Sequence, residues 1–518
     1  MDIDRALQSA LNNYRTGDLQ HAAEGYLEIL RDHPDNTDAL FMLGLMSAQT
    51  RNLDLAAEYF LETIKTASSH IGAYYNLGNV YRDKGRINDA FRCYQRVIQL
   101  NPMHAEAYIN LGVIHRTQGR FHEEIQCYQK AIQINPSSAE AFFNLGHVFF
   151  DKGQFDKALA CYEKVVLLQP SFVHAYMNLG LILRIRGRHE EALSCYQKAI
   201  QLNPDDAAAH WNLSNVLLLL GKYAEGWSEF EWFRKTEDCI KRQRNFTQPV
   251  WNGSDIQNRT ILLHAEEGFG DTLQFIRYAS LVADRGANVI IECQKELVSL
   301  VKNIEGIKDV VPDGGPLSAF DIHCPLMSLP GIFHTTLEDI PARMPYLTAD
   351  PSSVEKWGRR LQHDGSPLKI GLIWSGGGLP LKKSASLDMF SPLGKLKDVT
   401  FYSLQKGPPA EQAKNSPEGM IFVDYTDELH DFSDTAAFIE NLDLVISVDT
   451  AVAHLSGALG KPVWTLLPFV PDWRWLLDRE DSPWYPSMKL FRQPSLEDWK
   501  SVIDKVLDNL RRLIRERR

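Results

Sequence analysis

The stretch Tyr74-Tyr75-Asn76-Leu77-Gly78 returns in altered form every 34 residues through the first half of this 518-residue chain. Its asparagine recurs as Asn76, Asn110, Asn144, Asn178 and Asn212, and its last residue as Gly78, Gly112, Gly146, Gly180 and Ser214. A second glycine and a proline recur with the same 34-residue spacing. The glycines are Gly85, Gly119, Gly153, Gly187 and Gly221, and the prolines are Pro102, Pro136, Pro170 and Pro204. Since glycine and proline are typical of helix ends, each copy predicts two helices joined by a turn.

A 34-residue period is the signature of tetratricopeptide repeats, in which antiparallel helix pairs stack into a superhelix. About seven copies fill residues 3–238, so we predict a repeat domain over residues 1–240. Small residues mark the tight contact of the second helix: Ala22, Ala56, Ala90, Ala158 and Ala192, with Glu124 as the exception. Four cysteines also share one repeat position: Cys93, Cys127, Cys161 and Cys195. Without a CxxC pair, they predict packing and no metal site.

The five asparagines allow two interpretations. The residues before them supply the apolar face, so their amides are expected in the concave groove, where donor and acceptor suit the backbone of an extended peptide. Alternatively, each amide bonds within its own repeat. The row resembles the asparagine ladder of the O-linked N-acetylglucosamine transferases, which implies a protein or peptide partner.

Composition limits the classes of partner and location. The net charge of −11 argues against nucleic acid as the main partner. The start Met1-Asp2-Ile3-Asp4 has no basic-then-apolar signal pattern, and no apolar stretch reaches transmembrane length. Seven scattered cysteines favour a reducing compartment. We therefore expect a cytoplasmic protein without a transmembrane segment.

After about Cys239 the period gives way to short apolar runs that alternate with amphipathic stretches. The predicted strands lie at residues 261–263, 289–291, 370–374, 400–404, 444–447 and 463–467, and a helix is predicted over Thr272 to Arg285. This alternation is typical of doubly wound α/β domains with parallel sheets. Ligands of such domains bind beyond the carboxyl ends of the strands, so the cleft between two sheets is the expected site.

Several motifs in this half resemble those of GT-B glycosyltransferases, nearest to the heptosyltransferase family (family 9). They are residues 268–274 (Gly-Phe-Gly-Asp-Thr-Leu-Gln), 374–377 (Trp-Ser-Gly-Gly), 403–407 (Ser-Leu-Gln-Lys-Gly), 447–455 (Ser-Val-Asp-Thr-Ala-Val-Ala-His-Leu) and 460–463 (Gly-Lys-Pro-Val). The resemblance implies two Rossmann-like domains: a connector at 241–258, an acceptor-side half at 259–349, a linker at 350–367, and a nucleotide-sugar half at 368–518. The coupling to repeats is also similar to O-linked N-acetylglucosamine transferase.

The residues of these motifs predict how a donor diphosphate is held. Asp449 and Thr450 join a strand to a helix, where Thr450 and Ala451 offer backbone N–H groups at the positive helix end. His454 lies one turn later and is expected to add a donor. Lys406, with Gln405, is expected to neutralise the leaving diphosphate, and the Lys382–Lys383 pair is an alternative. Ser375 and Gly376 complete the predicted donor site. Alternatively, Asp449 and Thr450 form an ordinary N-cap, and Lys382 and Lys383 are solvated lysines on a loop.

On the acceptor side, Asp271 follows the glycine turn after the first strand. In the family motif this aspartate acts as general base toward the acceptor hydroxyl. A helix cap is the alternative, and His264 is a second candidate base. In GT-B enzymes, which these motifs resemble, side chains and helix ends generally stabilise the leaving diphosphate without a metal, so the resemblance implies metal-independent transfer without a cofactor. The sequence of this half agrees, since it has no DxD motif and no histidine cluster with ligand spacing.

We therefore predict an inverting glycosyltransferase that moves a sugar from a nucleoside diphosphate, UDP as first guess, to a hydroxyl, with the repeats presenting a polypeptide acceptor. Two alternatives stay open. One is a non-catalytic interaction scaffold with a degenerate transferase unit. The other is a heptosyltransferase-like enzyme whose acceptor is a glycan or a lipid-linked sugar.

Overall fold

The computed structural model describes residues 2–242, 244, 246–362, 368–377 and 383–517. The chain divides into two compact units, Met1–Ile182 and Leu183–Arg518. This division falls before the predicted boundary at residue 240, because the last helices of the repeat region share a hydrophobic core with the sheets. No helix in the described ranges is long and apolar enough to cross a membrane.

The first unit consists of antiparallel helix pairs. Its helices are α1 (Ile3–Thr16), α2 (Leu19–Asp32), α3 (Thr37–Gln49), α4 (Leu53–Thr66), α5 (Ile71–Asp83), α6 (Ile87–Leu100), α7 (Ala105–Thr117), α8 (Phe121–Ile134), α9 (Ala139–Asp151), α10 (Phe155–Leu168) and α11 (Val173–Ile185), the last of which crosses the division. The predicted helix-ending glycines are confirmed: Gly85 has φ +73° directly after α5 and its C-cap Lys84. The close helix approach is confirmed as well, since a Cβ on Gly78 would lie 2.7 Å from the Tyr94 ring.

The second unit begins with the remaining repeat helices. They are α12 (His189–Leu202), α13 (Ala207–Leu219), α14 (Tyr223–Phe230), a 3-10 helix (Glu231–Lys235) and α15 (Glu237–Arg242). Trp227 of α14 packs edge-on against Trp473 with ring centroids 5.3 Å apart. Its indole N–H donates to the Thr335 carbonyl at 3.0 Å. These aromatic contacts make the last repeat part of the unit that holds the sheets.

The first sheet has four strands in the order β3-β2-β1-β4. The strands are β1 (Thr260–His264), β2 (Asn288–Cys293), β3 (Ile307–Pro312) and β4 (Ile322–Pro325). The helices are α16 (Phe269–Phe275), α17 (Tyr278–Ala283), α18 (Val298–Val301) and α19 (Leu329–Ile332). The single helix predicted from Thr272 to Arg285 is thus two short helices, the first of which begins earlier, at Phe269.

The second sheet has six strands in the order β10-β9-β8-β5-β6-β7. The strands are β5 (Leu368–Ile373), β6 (Val399–Ser403), β7 (Phe422–Asp424), β8 (Leu444–Val448), β9 (Val463–Leu467) and β10 (Met488–Arg492). The helices are α20 (Pro351–Gln362), α21 (Phe432–Glu440), α22 (Ala451–Ala458) and α23 (Trp499–Arg517). Helix α20 occupies most of the stretch predicted as a linker, and residues 363–367 of that stretch lie outside the described residues.

Neighbouring strands in both sheets pair in parallel, which confirms the predicted α/β class. The sequence analysis missed β3, β4, β7 and β10. β7 has only three residues, and β3 carries charged residues between its apolar ones. Because the strands are parallel, their carboxyl ends lie at the same edge of each sheet. A ligand site is expected at that edge.

Candidate functional site

A cavity of about 650 Å³ opens beyond the carboxyl ends of β5 and β6. Ile373 and Leu404 line it at the strand ends, and Thr450 and Ala451 line it at the start of α22. Phe269, from the glycine turn of the first sheet, closes it from the other side. The cavity therefore lies between the two sheets, where the alternation of strands and helices predicted a site.

The structure brings most of the predicted donor-binding residues together. Six of them line this cavity: Ser375, Gly376, Gln405, Lys406, Thr450 and Ala451. Asp449 and His454 lie beside the cavity and do not line it, and Lys382 lies outside the described residues. That these residues bind a donor stays a prediction.

Gln405 holds the backbone that follows β5. Its side-chain oxygen accepts hydrogen bonds from the N–H groups of Trp374, at 3.2 Å, and Ser375, at 2.8 Å. Its amide nitrogen donates to the Lys406 carbonyl at 3.0 Å. Because both ends of this buried side chain are already bonded, Gln405 positions the cavity wall through the backbone.

The loop after β5 runs close to the start of α22. The Ser384 hydroxyl accepts from the Gly376 N–H at 3.1 Å and lies 3.0 Å from the Ser375 hydroxyl. A Cβ on Gly376 would lie 3.1 Å from the Asp449 carbonyl oxygen. Only glycine leaves room for this approach, so the loop backbone itself forms part of the cavity wall.

Helix α22 presents its first turn to the cavity. Thr450 is its N-cap residue, with extended backbone angles, yet among the described atoms its side chain accepts no capping hydrogen bond. The Thr450 hydroxyl lies 2.8 Å from the Ser447 hydroxyl. The first N–H groups of a helix carry partial positive charge and need an acceptor. An anion in the cavity would meet this need.

Lys406 brings a positive charge to the cavity. Its ammonium donates to the carbonyl oxygens of Leu429, at 2.8 Å, and Thr426. The side chain is exposed, and it has no carboxylate partner in the described part of the chain. Its charge is therefore available to an anion at the cavity.

Lys383, the other member of the predicted lysine pair, is tied to Asp449. Its ammonium lies 3.0 Å from the Asp449 carboxylate, of which only 7% is exposed. Burial lowers the pKa of Lys383, but the carboxylates of Asp449 and Asp472 outweigh burial, so the pKa lies above its ordinary value. Lys383 and Asp449 thus form a half-buried ion pair just before the start of α22.

His454 is buried beside the cavity and does not line it. Its Nδ1 lies 2.9 Å from the Tyr485 hydroxyl, and a Cβ on Gly270 would lie 3.0 Å from its Cδ2. Burial lowers the pKa of His454 to about 3, so the ring is neutral near pH 7. His454 thus packs against the glycine turn at Gly270. That it adds a donor to a phosphate stays a prediction.

Asp271 acts first as a helix cap. Its carboxylate accepts from the N–H of Gly268, the N-cap residue of α16, at 3.1 Å and forms an ion pair with Arg474. The alternative interpretation expected a cap for a helix beginning at Thr272, whereas α16 begins at Phe269 and contains Asp271. Burial raises the pKa of Asp271, and Arg474 opposes that rise without cancelling it. A quarter of the side chain, 25%, is still exposed. The carboxylate is therefore partly accessible and is more basic than an ordinary aspartate.

Arg474 is the residue of this site that the sequence analysis did not single out. Its guanidinium donates to Asp472 at 2.8 Å and also contacts Asp271 and Gln274. It thus connects the loop after β9 to the first helix of the other sheet. In the sequence, Arg474 stands between Trp473 and Trp475, two residues after Asp472, and that position alone did not distinguish it.

His264 lies elsewhere on the edge of the first sheet. Its Nε2 lies 3.2 Å from the His323 Nδ1, and it does not line the cavity. Burial lowers the pKa of His264 to about 3, with His323 and Arg234 acting in the same direction. Neither His264 nor Asp271 lines the cavity, but Asp271 lies two residues after Phe269, which does. Which of the two acts as a base stays a prediction.

The asparagines of the repeats differ in their bonding. Asn76 and Asn212 donate to the carbonyl oxygens of Gly72, at 2.9 Å, and Ala208, at 2.8 Å, each in its own helix. Asn110 is buried and accepts from Arg82 at 3.1 Å. For the first two, the bond within the repeat that was the alternative interpretation is present, and it leaves their side-chain oxygens available.

Family comparisons identify the repeats. The description "TPR repeat" matches residues 78–119, 114–152 and 180–221, and "Tetratricopeptide repeat" matches residues 139–172 and 7–70. The chain therefore carries tetratricopeptide repeats across about its first 220 residues, as predicted. Such repeats are binding surfaces for other proteins.

Among curated proteins, Protein FlbA of Caulobacter vibrioides is 25% identical over 319 residues, or 55% of this chain and 52% of FlbA. The chain thus spans about half the length of this relative. Among solved structures, YrrB, a TPR protein with an unusual peptide-binding site, shows 22% identity and a TM-score of 0.31, covering 36% of this chain and 96% of its own. MamA shows 29% identity and a TM-score of 0.30, covering 33% of this chain and 93% of its own.

Proposed function

We propose that the second unit is a GT-B glycosyltransferase that binds a nucleoside-diphosphate sugar in the cavity between its two sheets. One observation carries the proposal: the uncapped first turn of α22 opens into that cavity beside the exposed charge of Lys406. A helix N-terminus and a lysine together suit a diphosphate, whose negative charge grows as the glycosidic bond breaks. A volume of about 650 Å³ is also in the range of small-molecule sites.

The apolar part of the cavity suits the nucleoside. Phe269, Leu429 and Phe432 line it, and the Phe269 and Phe432 rings lie 5.0 Å apart. Because Phe269 belongs to the turn that also carries Asp271, a bound donor would contact the acceptor-side half directly. Asp271 would then take the proton of the acceptor hydroxyl, a role that its raised pKa favours.

The repeats would supply the acceptor. Stacked tetratricopeptide repeats bind extended polypeptide, and the free side-chain oxygen of Asn76 is an acceptor for a peptide N–H. A polypeptide held there is our first choice of acceptor. Transfer of label from a radiolabelled nucleotide sugar into protein, rather than into glycolipid, is the expected result in a lysate; label in glycolipid would support the glycan or lipid-linked alternative.

Donor binding can be tested with one substitution. Ala451→Asp adds a carboxylate at the first position of α22, where an acidic residue favours the helix but repels a diphosphate. Calorimetric titration with UDP, GDP and ADP should show that one of them binds the unchanged chain. The substitution should weaken that binding about tenfold or more.

The matched control is Ala139→Asp, the same change at the first position of α9, where Ser138 is the N-cap. It should leave nucleotide affinity unchanged. Lack of binding to all three nucleotides, or equal affinity in the Ala451→Asp chain, would contradict the proposed donor site.

One observation favours the non-catalytic scaffold as the second candidate. The Asp271 carboxylate already caps α16 and pairs with Arg474, so both of its oxygens have partners. If Asp271 had only these two roles, it would stabilise the contact between the sheets and take no part in catalysis. Turnover of the Asp271→Asn chain distinguishes the two candidates, since only catalysis requires the proton acceptor.

A further inference from the structure

A second cavity, of about 430 Å³, lies at the carboxyl ends of β9 and β10, away from the donor cavity. Pro468 to Pro471, directly after β9, form one wall, and Gln493, directly after β10, forms part of another. Arg184, in the last turn of α11, and His189, the first residue of α12, line the side formed by the repeats. We call this the β9–β10 cavity.

The β9–β10 cavity is basic in a chain whose net charge is −11. Its cationic lining residues are Arg184, Arg492 and Lys505, against the single carboxylate of Asp478. His189 also lines it, but burial lowers the pKa of this histidine, which favours the neutral ring. Lys505 is exposed on α23. Helix α12 also begins here, at His189, and its first turn adds partial positive charge. The lining therefore favours an anion.

Arg492 adds to this excess of positive charge. Its guanidinium donates to the carbonyl oxygens of Arg479, at 2.9 Å, and Leu476, at 3.0 Å, and to that of Trp475. Burial lowers the pKa of Arg492 to about 10, and Asp478 only partly offsets that effect. A charged group buried against carbonyl dipoles alone is stabilised by a nearby anion.

Three polar atoms of the lining are buried without a partner in the described part of the chain. They are the Arg184 Nε, the His189 Nδ1 and the Gln493 amide nitrogen. Gln493 is only 5% exposed, and its oxygen is already used by the Phe469 N–H at 3.0 Å. Buried donors normally have acceptors. The Arg184 Nε and the Gln493 amide nitrogen are unpartnered donors, and the His189 Nδ1 is a donor in one of its two tautomers. Together at one basic cavity, they indicate a ligand that supplies acceptor oxygens.

We propose that the β9–β10 cavity binds a small phosphate-bearing molecule, with Arg184, Gln493 and Lys505 as its donors. A phosphate group offers three acceptor oxygens and pairs well with a guanidinium, which matches the number and type of donors. The volume admits a phosphate together with a small attached group, so inorganic phosphate and a phosphorylated sugar share the required chemistry. This site is independent of the donor cavity.

The test is calorimetric titration of the full chain with inorganic phosphate, glucose 6-phosphate and glucose at constant ionic strength. Gln493→Glu keeps the oxygen that accepts from the Phe469 N–H and replaces the unpartnered amide by a second oxygen. It should weaken phosphate binding about tenfold or more. Lys505→Gln, on an exposed residue where folding is not at risk, should weaken binding several-fold.

The matched control is Lys500→Gln on the same helix, where Lys500 pairs with Asp504 outside the cavity. It should leave the affinity unchanged. Tighter binding of glucose 6-phosphate than of phosphate would identify a phosphorylated metabolite, and equal binding would identify phosphate itself; both support the site.

Two results would overturn the proposal. The first is lack of binding by both phosphate compounds. The second is binding that survives Gln493→Glu and Lys505→Gln and is lost in the Ala451→Asp chain, since the anion would then occupy the donor cavity. That second result would leave the proposed transferase site intact, and failure of the nucleotide titration would leave the β9–β10 cavity untouched.

Discussion

The repeats and the two-sheet region arrange their polar residues in opposite ways. In the repeats, the asparagines return every 34 residues; Asn76 and Asn212 bond to their own helices, and Asn110 bonds to the neighbouring repeat. In the two-sheet region, the cavity takes Phe269, Ser375, Lys406 and Thr450 from four separate segments. A periodic surface is therefore visible in the sequence, whereas a cavity forms only when the sheets come together.

The two regions also differ in whether their buried charged groups have partners of opposite charge. Around Arg474 the sheets bury several charged groups that compensate one another, with Asp271 and Asp472 as its partners. In the first unit the corresponding exception is Glu124, which is 1% exposed at a position where other copies have alanine. A paired charge suits a functional site, and an isolated buried carboxylate costs stability. Substitution of Asp271 tests this interpretation in the two-sheet region, and substitution of Glu124 tests it in the repeats.

The largest effect is expected from Asp271→Asn, which keeps an oxygen for the Gly268 N–H but removes the proton acceptor. If Asp271 is the general base, turnover should fall about 10²- to 10⁴-fold while nucleotide affinity stays within about twofold. Because burial raises the pKa of Asp271, turnover of the unchanged chain should decline as pH falls through that raised value. Initial rates with labelled donor across pH measure both effects.

The control for this prediction is Asp481→Asn, which removes one carboxylate of a surface ion pair with Arg479. Turnover should not change. Full activity in the Asp271→Asn chain would show that Asp271 only caps α16 and pairs with Arg474, which is the scaffold reading of the two-sheet region.

The repeats and the two-sheet region also differ in how much of each could be predicted from the sequence. The helix pairs, the positive-φ glycines such as Gly85 and the parallel α/β class were all predicted, because periodicity and burial are local signals. The roles of Arg474 and Gln405 were not, because each depends on partners that are distant in the chain: Gln274 for the first and Trp374 for the second. Helix α20 was missed because its flanking prolines and glycine indicated a linker.

A second, smaller effect is expected at Glu124. Burial raises the pKa of this carboxyl to about 7, and Arg116 opposes the rise. The folded repeat therefore prefers the protonated form. Its contribution to stability is fully present below the ordinary value of 4.5 and is lost as pH rises through about 7. The whole change is at most about 3 kcal/mol.

Glu124→Gln should abolish this pH dependence, because the amide does not titrate. Hydrogen exchange of α7 to α9 at pH 5 and pH 8, corrected for intrinsic rates, measures the local free energy of opening. Glu123→Gln, at the half-buried neighbouring position of the same helix, is the matched control and should keep the pH dependence. An unchanged pH profile in the Glu124→Gln chain would show that another group titrates.

Gly112→Ala tests the close packing within a repeat. An added Cβ would lie 2.5 Å from the Tyr128 ring, so the ring or the helix must move. We expect a loss of about 1–3 kcal/mol in the local opening free energy of α7 and α8. Tyr128→Leu removes the obstructing ring, so the double variant should lose less than the sum of the two single changes. If the two single losses simply add in the double variant, the destabilisation by Gly112→Ala does not come from contact with the Tyr128 ring.

The smallest effects are expected from single asparagines, and they should be unequal. Asn76 keeps a free side-chain oxygen, whereas Asn110 is bonded to Arg82 and, at 3.2 Å, to Asn79. With a peptide selected for binding to the full chain, Asn76→Ala should weaken binding by about 0.5–1.5 kcal/mol, the net value of one hydrogen bond. Asn110→Ala should act mainly on the stability of α5 and α7. Fluorescence anisotropy and hydrogen exchange separate the two effects, and equal losses of peptide affinity would mean that a bound peptide rearranges the Asn110 network.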